Sequence, residues 1–213
     1  MDTPFRVTFH LSSPLNVGNH DIHLDALIAW CMVDEAKPKT TEELESLHDQ
    51  LPLDRHHVGG RWVWKASRLS IEHGPVETRF LTRRFDMLDY GAHVAEGRVK
   101  SGYVNESSGQ YRNMFEHFQV EHVKKVHCFG VGDVERIAEL LARLEFLGAK
   151  TRLGLGRIKE IEIKKINDED CAWYRRPLPE GSSYAAAGYY PRLFRLRPPY
   201  WKHEDKGMVM YPP

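Results

Sequence analysis

An alternating segment near the N-terminus places the strongest constraint on the fold. In Phe5–Leu11, apolar residues occupy every second position, and Arg6, Thr8 and His10 lie between them. Because successive side chains of a strand point to opposite faces, this pattern predicts a half-buried β-strand. The chain therefore starts with a strand that needs a cover on one face only.

Two helices are predicted after this strand. The apolar residues that recur at helical spacing in the first are Leu24, Leu27, Ile28, Cys31 and Met32. Asp25 is placed in the first turn, where a negative charge is favourable. Further on, Thr40 and Glu43 fit a capping box, which predicts a short acidic helix. A solvated acidic loop is the alternative for that segment.

The middle of the chain contains two extended runs, 62–71 and 78–85, rich in aromatic and β-branched residues. The turn signal His73-Gly74-Pro75 lies between them, so we predict that they pair as a hairpin. The next segment, 86–113, is polar, punctuated by glycine and basic in places. We interpret it as an insertion in the core.

A strand, a helix and a strand complete the pattern. Residues 115–129 are predicted to form a strand, Asp133 to cap the next helix and Gly148 to end it. The apolar stripe of that helix comprises Val134, Ile137, Leu140, Leu141, Leu144 and Leu147. Residues 158–166 form the last predicted strand, whose imperfect alternation fits either a bulge or burial on both faces.

The order strand, helix, hairpin, strand, helix, strand predicts an α+β fold of the ferredoxin-like (RRM-like) class, in which two helices cover one face of an antiparallel sheet. We predict a core over 1–166 with the insertion at 86–113. The remaining residues, 167–213, carry many prolines and few periodic signals, and are interpreted as a C-terminal extension.

Composition restricts the environment and the partners. Lysine plus arginine equals aspartate plus glutamate, at 30 each, so any attraction to nucleic acid must come from local patches. The three cysteines form no CxxC pair, which favours buried thiols in a reducing cytoplasm. We see neither a secretory signal nor a stretch long enough to cross a bilayer, and so expect no membrane partner.

A glycine-rich loop at 148–157 is the most informative motif. Its glycines superficially resemble a dinucleotide fingerprint, but that site needs a strand before them and a helix after, and here the order is reversed. The residues with a predicted role in binding a nucleic-acid backbone are Lys150, Arg152, Gly154, Gly156 and Arg157. A tight connection that uses glycine for its dihedral freedom is the alternative.

Three segments resemble the repeat-associated mysterious proteins, or RAMPs, of CRISPR systems. They are Phe5–Leu11, His23–Trp30 and Gly148–Gly156, and Arg197-Pro198-Pro199-Tyr200-Trp201 is similar too. The likeness is greatest to the type IV subunit of the Cas five type. It implies a ferredoxin-like subunit that caps the 5′ handle of the guide RNA (crRNA), touches RNA with the glycine-rich loop and separates bases with an inserted thumb.

By this resemblance, Gly154 and Gly156 take the loop role and 86–113 takes the thumb position. The implied partners are crRNA, a backbone subunit of the Cas seven type, a large subunit and target DNA, with a possible part in reading the protospacer-adjacent motif. We expect no cofactor and no chemistry. We also expect both glycines to accept valine without unfolding of the protein.

Other candidate RNA contacts lie in the middle of the chain. Two of three neighbouring arginines share a strand face and the third points oppositely, while tyrosines in the insertion could stack on bases or pack locally. These candidates are Arg79, Arg83, Arg84, Arg98, Lys100, Tyr103, Tyr111 and Arg112.

Two other classes of function stay open. Some RAMP relatives cleave guide precursors without metal, and His10 or His23 would be the candidate base of such an endoribonuclease. The 12 histidines form no recognisable ligand set, so we predict no metal site. A structural subunit that binds only proteins is the third possibility, and the neutral net charge suits it.

Overall fold

The computed structural model describes residues 3–18, 21–99, 108, 111–185, 187–200, 202 and 206–213. The chain divides into two compact units, which we treat separately. Unit 1 comprises Met1–Pro75 and Glu121–Pro213, and unit 2 comprises Val76–Val120. The predicted insertion, 86–113, lies within unit 2, and the C-terminal segment, 167–213, belongs to unit 1.

The described residues form helices, strands and two short 3₁₀ turns. The helices are α1 (Leu24–Ala36), α2 (Thr41–His48), α3 (Met87–Ala95) and α4 (Val134–Leu141). The strands are β1 (Thr3–Leu11), β2 (Arg55–Val58), β3 (Arg61–Trp64), β4 (Ser70–Ile71), β5 (Val76–Arg83), β6 (Met114–Glu121), β7 (Lys125–Gly132), β8 (Ile158–Lys165), β9 (Tyr190–Phe194) and β10 (Gly207–Tyr211). The 3₁₀ turns are Thr151–Leu153 and Asp168–Asp170.

The main sheet of unit 1 has the order β4-β7-β1-β8, and its strand pairs are antiparallel. Phe5, Val7 and Phe9 of β1 are fully buried in a core cluster that includes residues of α1 and α4. The alternation of the first segment therefore predicted both the strand and its buried face. The fold is a mixture of helices and antiparallel sheets.

Three local predictions are confirmed. Thr40 and Glu43 form a capping box at the start of α2, and the Asp133 side chain accepts a hydrogen bond from the backbone of Arg136 at the start of α4. The register of β8 against β1 shifts between His10 and Leu11, which pair with Glu160 and Ile158. This irregularity accounts for the imperfect alternation of the last predicted strand.

The predicted hairpin of 62–71 with 78–85 is wrong. Part of the first run is β3, which pairs with β2, and β4 pairs with β7. The second run lies in β5, whose neighbour is β6. Gly59 and Gly60, both at positive φ, form the turn of the true hairpin. Glycine adopts such angles without steric penalty, so this pair carried the stronger turn signal.

Two other boundaries also differ from prediction. The single strand predicted over 115–129 is divided between β6 and β7. Helix α4 ends at Leu141, before the predicted terminator Gly148, and i to i+3 backbone bonds follow it. Leu144 and Leu147 nevertheless remain buried, so the apolar stripe continues into a non-helical segment. Apolar spacing alone did not distinguish the two conformations.

The C-terminal segment builds a second core. Residues Cys171, Trp173, Leu178 and Tyr211 cluster with Val131 of β7, which points away from the face that α1 and α4 cover. Part of the second sheet face is therefore covered by the chain itself.

Unit 2 contains β5, α3 and β6. Asp86 caps α3 by accepting hydrogen bonds from the backbone of Leu88 and Asp89. In the part of the chain that the structure describes, no helix has the length and apolarity needed to span a membrane.

Candidate nucleic-acid interface

The glycine-rich loop connects Leu147 to β8 through a tight turn. Lys150 takes a left-handed conformation with φ of 56°, the 3₁₀ turn Thr151–Leu153 follows, and Gly154 reverses the chain with φ of 76°. A left-handed non-glycine residue is uncommon, so the turn depends on a conformation that Lys150 tolerates and that glycine favours at 154.

Gly154 and Gly156 have opposite surroundings. Gly154 is exposed, and a Cβ atom added there would meet no heavy atom within 4 Å. Gly156 is buried, and an added Cβ would lie 1.8 Å from the backbone oxygen of Leu147. The expectation that both accept valine without unfolding therefore fails for Gly156, because its role is to let two backbone segments approach.

The backbone N–H groups of both glycines already have partners within the chain. Gly154 donates to the oxygen of Thr151 at 2.8 Å, and Gly156 donates to that of Pro14 at 2.7 Å. An amide with an internal acceptor is not available to a phosphate without breaking that bond. Contact with RNA through this loop would therefore depend on its cationic side chains and on close approach at Gly154.

The cationic side chains of the loop lie close together in sequence and on its surface. Arg152 and Arg157 are exposed, and Lys150 is half-buried. The backbone of Arg157 is fixed by hydrogen bonds with Ser12 and Ser13, so the start of β8 presents this residue from an anchored position. The structure thus places Lys150, Arg152, Gly154 and Arg157 on the surface of one short loop, whereas Gly156 is buried.

The arginine candidates of unit 2 have different degrees of internal pairing. Arg79 makes two hydrogen bonds of 3.1 Å to Glu77, which neutralises its charge locally. Arg83 donates to the backbone oxygen of Arg112 at 3.2 and 3.3 Å. Arg98 is 2.8 Å from Glu96. Arg83 therefore holds the ends of β5 and β6 together, while Arg79 and Arg98 form surface ion pairs.

An open groove of about 520 Å³ lies beside Arg83 in unit 2. Arg84 and Phe85 line it on one side, and Asn113 and Phe115 on the other. Since β5 ends at Arg83, Arg84 lies just past the strand.

Tyr111 belongs to a local aromatic cluster. Its ring packs edge-on against Phe85 and Tyr90, and its hydroxyl is 2.7 Å from Nδ1 of His93. The surroundings favour the local-packing alternative for this tyrosine. Lys100 and Tyr103 lie outside the described residues.

The two histidine candidates differ in access. His23 is 1 % exposed, and its ring is stacked 4.6 Å from that of Tyr200. Burial lowers the pKa of His23 to about 4. His10 lies on the face of β1 opposite the buried side chains of Val7 and Phe9. It is half-buried, and its Nε2 atom is 3.9 Å from the carboxylate of Glu162. His10 alone of the two has access to a ligand. Among the described residues, no group of three or more histidines, cysteines or carboxylates could hold a metal ion.

A buried ionic centre was missed by sequence reasoning. Asp25 and Arg176 are both fully buried and lie 3.0 Å apart, and the hydroxyl of Tyr200 contacts Asp25 at 2.8 Å and Arg176 at 2.7 Å. Arg176 also donates to the backbone oxygens of Trp64 and Leu196. Burial raises the pKa of Tyr200 well above its usual value, so the neutral phenol can donate to the carboxylate.

This centre assigns a structural role to a residue within 197–201, one of the segments that carry the family resemblance. Tyr200 of the Arg-Pro-Pro-Tyr-Trp motif joins the C-terminal segment to the start of α1. The signal available in the sequence was the acidic residue in the first turn of α1, but its partner lies 151 positions further along the chain.

A model of the family described as CRISPR type IV associated protein Csf3 matches residues 3–212. The chain belongs to the Csf3 family. The predicted association with type IV CRISPR systems is confirmed by this match, which extends through the C-terminal segment.

The other comparisons add little. A chain of the cryo-EM structure of the type III-B Cmr-beta bound to cognate target RNA is similar with a TM-score of 0.38 and 9% identity, over 77% of this chain. This chain spans 61% of the length of that one. A similarity of this size does not assign the fold. The comparison with curated proteins gives no significant match.

Proposed function

We propose that this Csf3-family protein is a non-catalytic RNA-binding subunit of a type IV CRISPR effector complex that caps the 5′ handle of the crRNA. The observation that carries the proposal is the exposed loop, in which Arg152 and Arg157 surround a glycine with open space above it. Guanidinium groups bind phosphates through paired N–H donors, and an open glycine lets a backbone approach closely.

The proposal includes a ferredoxin-like RAMP core. Within the main sheet, the chain order is β1, α1, β4, β7, α4, β8, and the spatial order is β4-β7-β1-β8. A split βαβ arrangement has this order of two βαβ halves, which supports the assignment. In this reading, β2 and β3 are additions between α1 and β4, and unit 2 is the thumb between β4 and β7.

The same proposal assigns the partners that the family resemblance implies. In the assembled complex, its neighbours would be a Cas seven-type backbone subunit, a large subunit and target DNA. The proposal also includes a contribution of this subunit to recognition of the protospacer-adjacent motif. The neutral net charge of the chain favours recognition by local surfaces over a general attraction to nucleic acid.

The two glycines provide a matched test of the loop. Gly154→Ala should keep the fold, at a cost of about 1 kcal/mol from the left-handed backbone, and weaken binding of labelled handle RNA roughly tenfold, because the new methyl group blocks close approach. Gly156→Ala should instead destabilise the protein by about 3 kcal/mol, through overpacking against Leu147 and the left-handed backbone. Gel shifts measure the first effect and thermal unfolding measures the second.

The arginines test the same surface through charge. The double variant Arg152→Gln/Arg157→Gln should lower handle affinity more than Arg136→Gln/Arg143→Gln, which removes the same charge from α4 and its flank. Equal affinities of the wild type and both double variants for handle RNA would reject the loop assignment. Absence of RNA binding by the intact wild-type protein would favour the structural-subunit alternative.

A metal-independent endoribonuclease is the second candidate. The observation that favours it is that His10 is partly accessible on the face of β1 opposite the core, where an imidazole can act as a general base. Incubation of repeat RNA without metal distinguishes the candidates. Intact, shifted RNA supports capping, whereas cleavage that disappears in His10→Ala would establish the nuclease.

A further inference from the structure

An indole that two arginines contact lies in unit 1 outside the glycine-rich loop. The Cζ atom of Arg55 is 4.2 Å from the ring centroid of Trp62, and that of Arg197 is 4.0 Å from the same centroid. We call these three residues the arginine–indole stack. The two guanidinium carbons are therefore no more than about 8 Å apart.

The stack is built from separate parts of the chain. Trp62 lies on β3, Arg55 on β2, and Arg197 in the C-terminal segment after β9. Trp64 supports it from below, with its ring edge-on to Trp62 at 4.8 Å. The Gly59-Gly60 turn fixes the hairpin register, which places Arg55 opposite Trp64. A hairpin with a buried anchor therefore holds the stack in place.

One acidic residue bridges the two arginines. Arg55 donates to the backbone oxygen of Asp49 at 2.6 Å, and Arg197 is 3.0 Å from its carboxylate. Asp49 thus offers its carboxylate to Arg197 and its backbone oxygen to Arg55. Another arginine, Arg192, lies nearby in sequence, with its Cζ 4.5 Å from the ring centroid of Tyr211. Positive charge and aromatic surface are combined along this part of the unit.

The stack is accessible to a ligand. Arg55 is exposed, the side chain of Arg197 is 35% exposed and Trp62 is half-buried. Stacking on an indole fixes the plane of a guanidinium group and directs its N–H edges outward, and such edges match the oxygens of a phosphate. An exposed guanidinium face can also support an unstacked base.

We propose that the arginine–indole stack is a second nucleic-acid site, which binds the phosphodiester backbone of a single strand. Phosphate oxygens would accept from Arg55 and Arg197, and a base would lie against the exposed face of one guanidinium. This site uses none of the loop residues and so goes beyond handle capping. RNA and single-stranded DNA share the recognised chemistry, and the test below separates them.

The test uses the full chain with labelled oligouridine and oligothymidine, neither of which carries a handle. Fluorescence anisotropy over a series of salt concentrations gives the affinity and its salt dependence. Arg55→Gln/Arg197→Gln should lower the affinity roughly tenfold and reduce the slope of log K against log salt by about 1.4, for two lost phosphate contacts. Loss in the uridine arm alone assigns the site to RNA, and loss in the thymidine arm alone assigns it to DNA.

Two further variants keep the test decisive. Arg136→Gln/Arg143→Gln removes equal charge elsewhere and should change neither quantity. Arg55→Lys/Arg197→Lys retains the charge but loses the planar fork, so its affinity should lie between those of the wild type and the glutamine variant. If the glutamine variant fails to fold, the lysine variant should still bind more weakly than the wild type.

Three outcomes overturn the proposal. They are wild-type protein that binds neither oligonucleotide, a folded glutamine variant with unchanged affinity and slope, and a lysine variant indistinguishable from wild type when the glutamine variant is unfolded. The second outcome with a lowered melting temperature would mean that the stack serves only to hold the C-terminal segment. Handle RNA titrated against Arg152→Gln/Arg157→Gln tests capping separately, so failure of handle capping is distinguishable from failure here.

Discussion

Unit 1 buries charge, whereas unit 2 exposes apolar surface. Asp25 and Arg176 are wholly buried in unit 1 and have polar partners. Among the described residues of unit 2, only Val120 is buried. The large apolar side chains that unit 2 leaves exposed are Val76, Phe80, Met87, Leu88 and Phe115.

This difference indicates what each unit depends on. Unit 1 has two buried apolar clusters, and their removal from water stabilises its fold. Unit 2 relies on the contact of β5 with β6 and on the aromatic cluster around Tyr111. Exposed apolar side chains grouped in one small unit are typical of an interaction surface. We therefore expect substitutions of buried residues in unit 1 to change stability and those of exposed apolar residues in unit 2 to change association.

The largest effect is expected at the buried ionic centre. Arg176→Met leaves Asp25 buried without its cation and should lower the free energy of unfolding by about 3–5 kcal/mol. Guanidinium denaturation measures this change. Arg136→Met is the matched control, since that exposed arginine pairs with Glu35 and Glu139 at the surface and should change stability by less than about 1 kcal/mol. Similar losses in both variants would contradict the comparison.

The next effect is a dependence of stability on pH. Burial lowers the pKa of His23 from 6.5 to about 4, so the unfolded chain takes up the proton first as the pH falls. The contribution of neutral His23 is complete above pH 6.5 and is lost as the pH approaches 4, by up to about 3 kcal/mol.

His23→Phe tests this dependence. Neither ring nitrogen of His23 has a hydrogen-bond partner among the described residues, so phenylalanine replaces the ring without breaking such a bond. Denaturation between pH 7 and 4 should show a smaller loss of stability in the variant than in the wild type. Parallel stability profiles would mean that His23 takes up its proton equally in the folded and unfolded protein.

The smallest effect on stability is expected in unit 2. Phe80 and Phe115 are 63% and 69% exposed, and their rings stack 5.6 Å apart. Phe80→Ala should cost less than about 1 kcal/mol, because little apolar surface leaves a buried site. Binding of a hydrophobic dye should fall in the same variant. A loss of several kcal/mol would show that unit 2 has a core of the kind found in unit 1.

The sequence predicted the elements whose signals are local. The alternation around Val7, the capping box at Thr40 and the cap at Asp133 each depend on neighbouring residues, and the structure bears them out. Strand pairing depends on distant residues, so the partner of β5 was mistaken. When several extended runs have a similar composition, the sequence does not indicate which of them pair through hydrogen bonds.

The sequence predicted which residue types form the candidate site, but not which residues surround each of them. The basic character of the loop was readable from Arg152 and Arg157, but the contrast between Gly154 and Gly156 depends on where Leu147 returns in space. The arginine–indole stack was missed for a similar reason. Arg197 and Trp62 are 135 positions apart in the chain, and only the folded structure brings them together.

The position of β1 has a consequence for biosynthesis. This strand leaves the ribosome well before its sheet partners β7 and β8, and the hydroxyl that bonds Asp25 lies 175 residues after that aspartate. Neither edge of β1 can be covered, nor the charge on α1 satisfied, until the C-terminal half has been translated. We expect unit 1 to fold only after Tyr200 has been synthesised, and slowly for its length, because early segments await late partners.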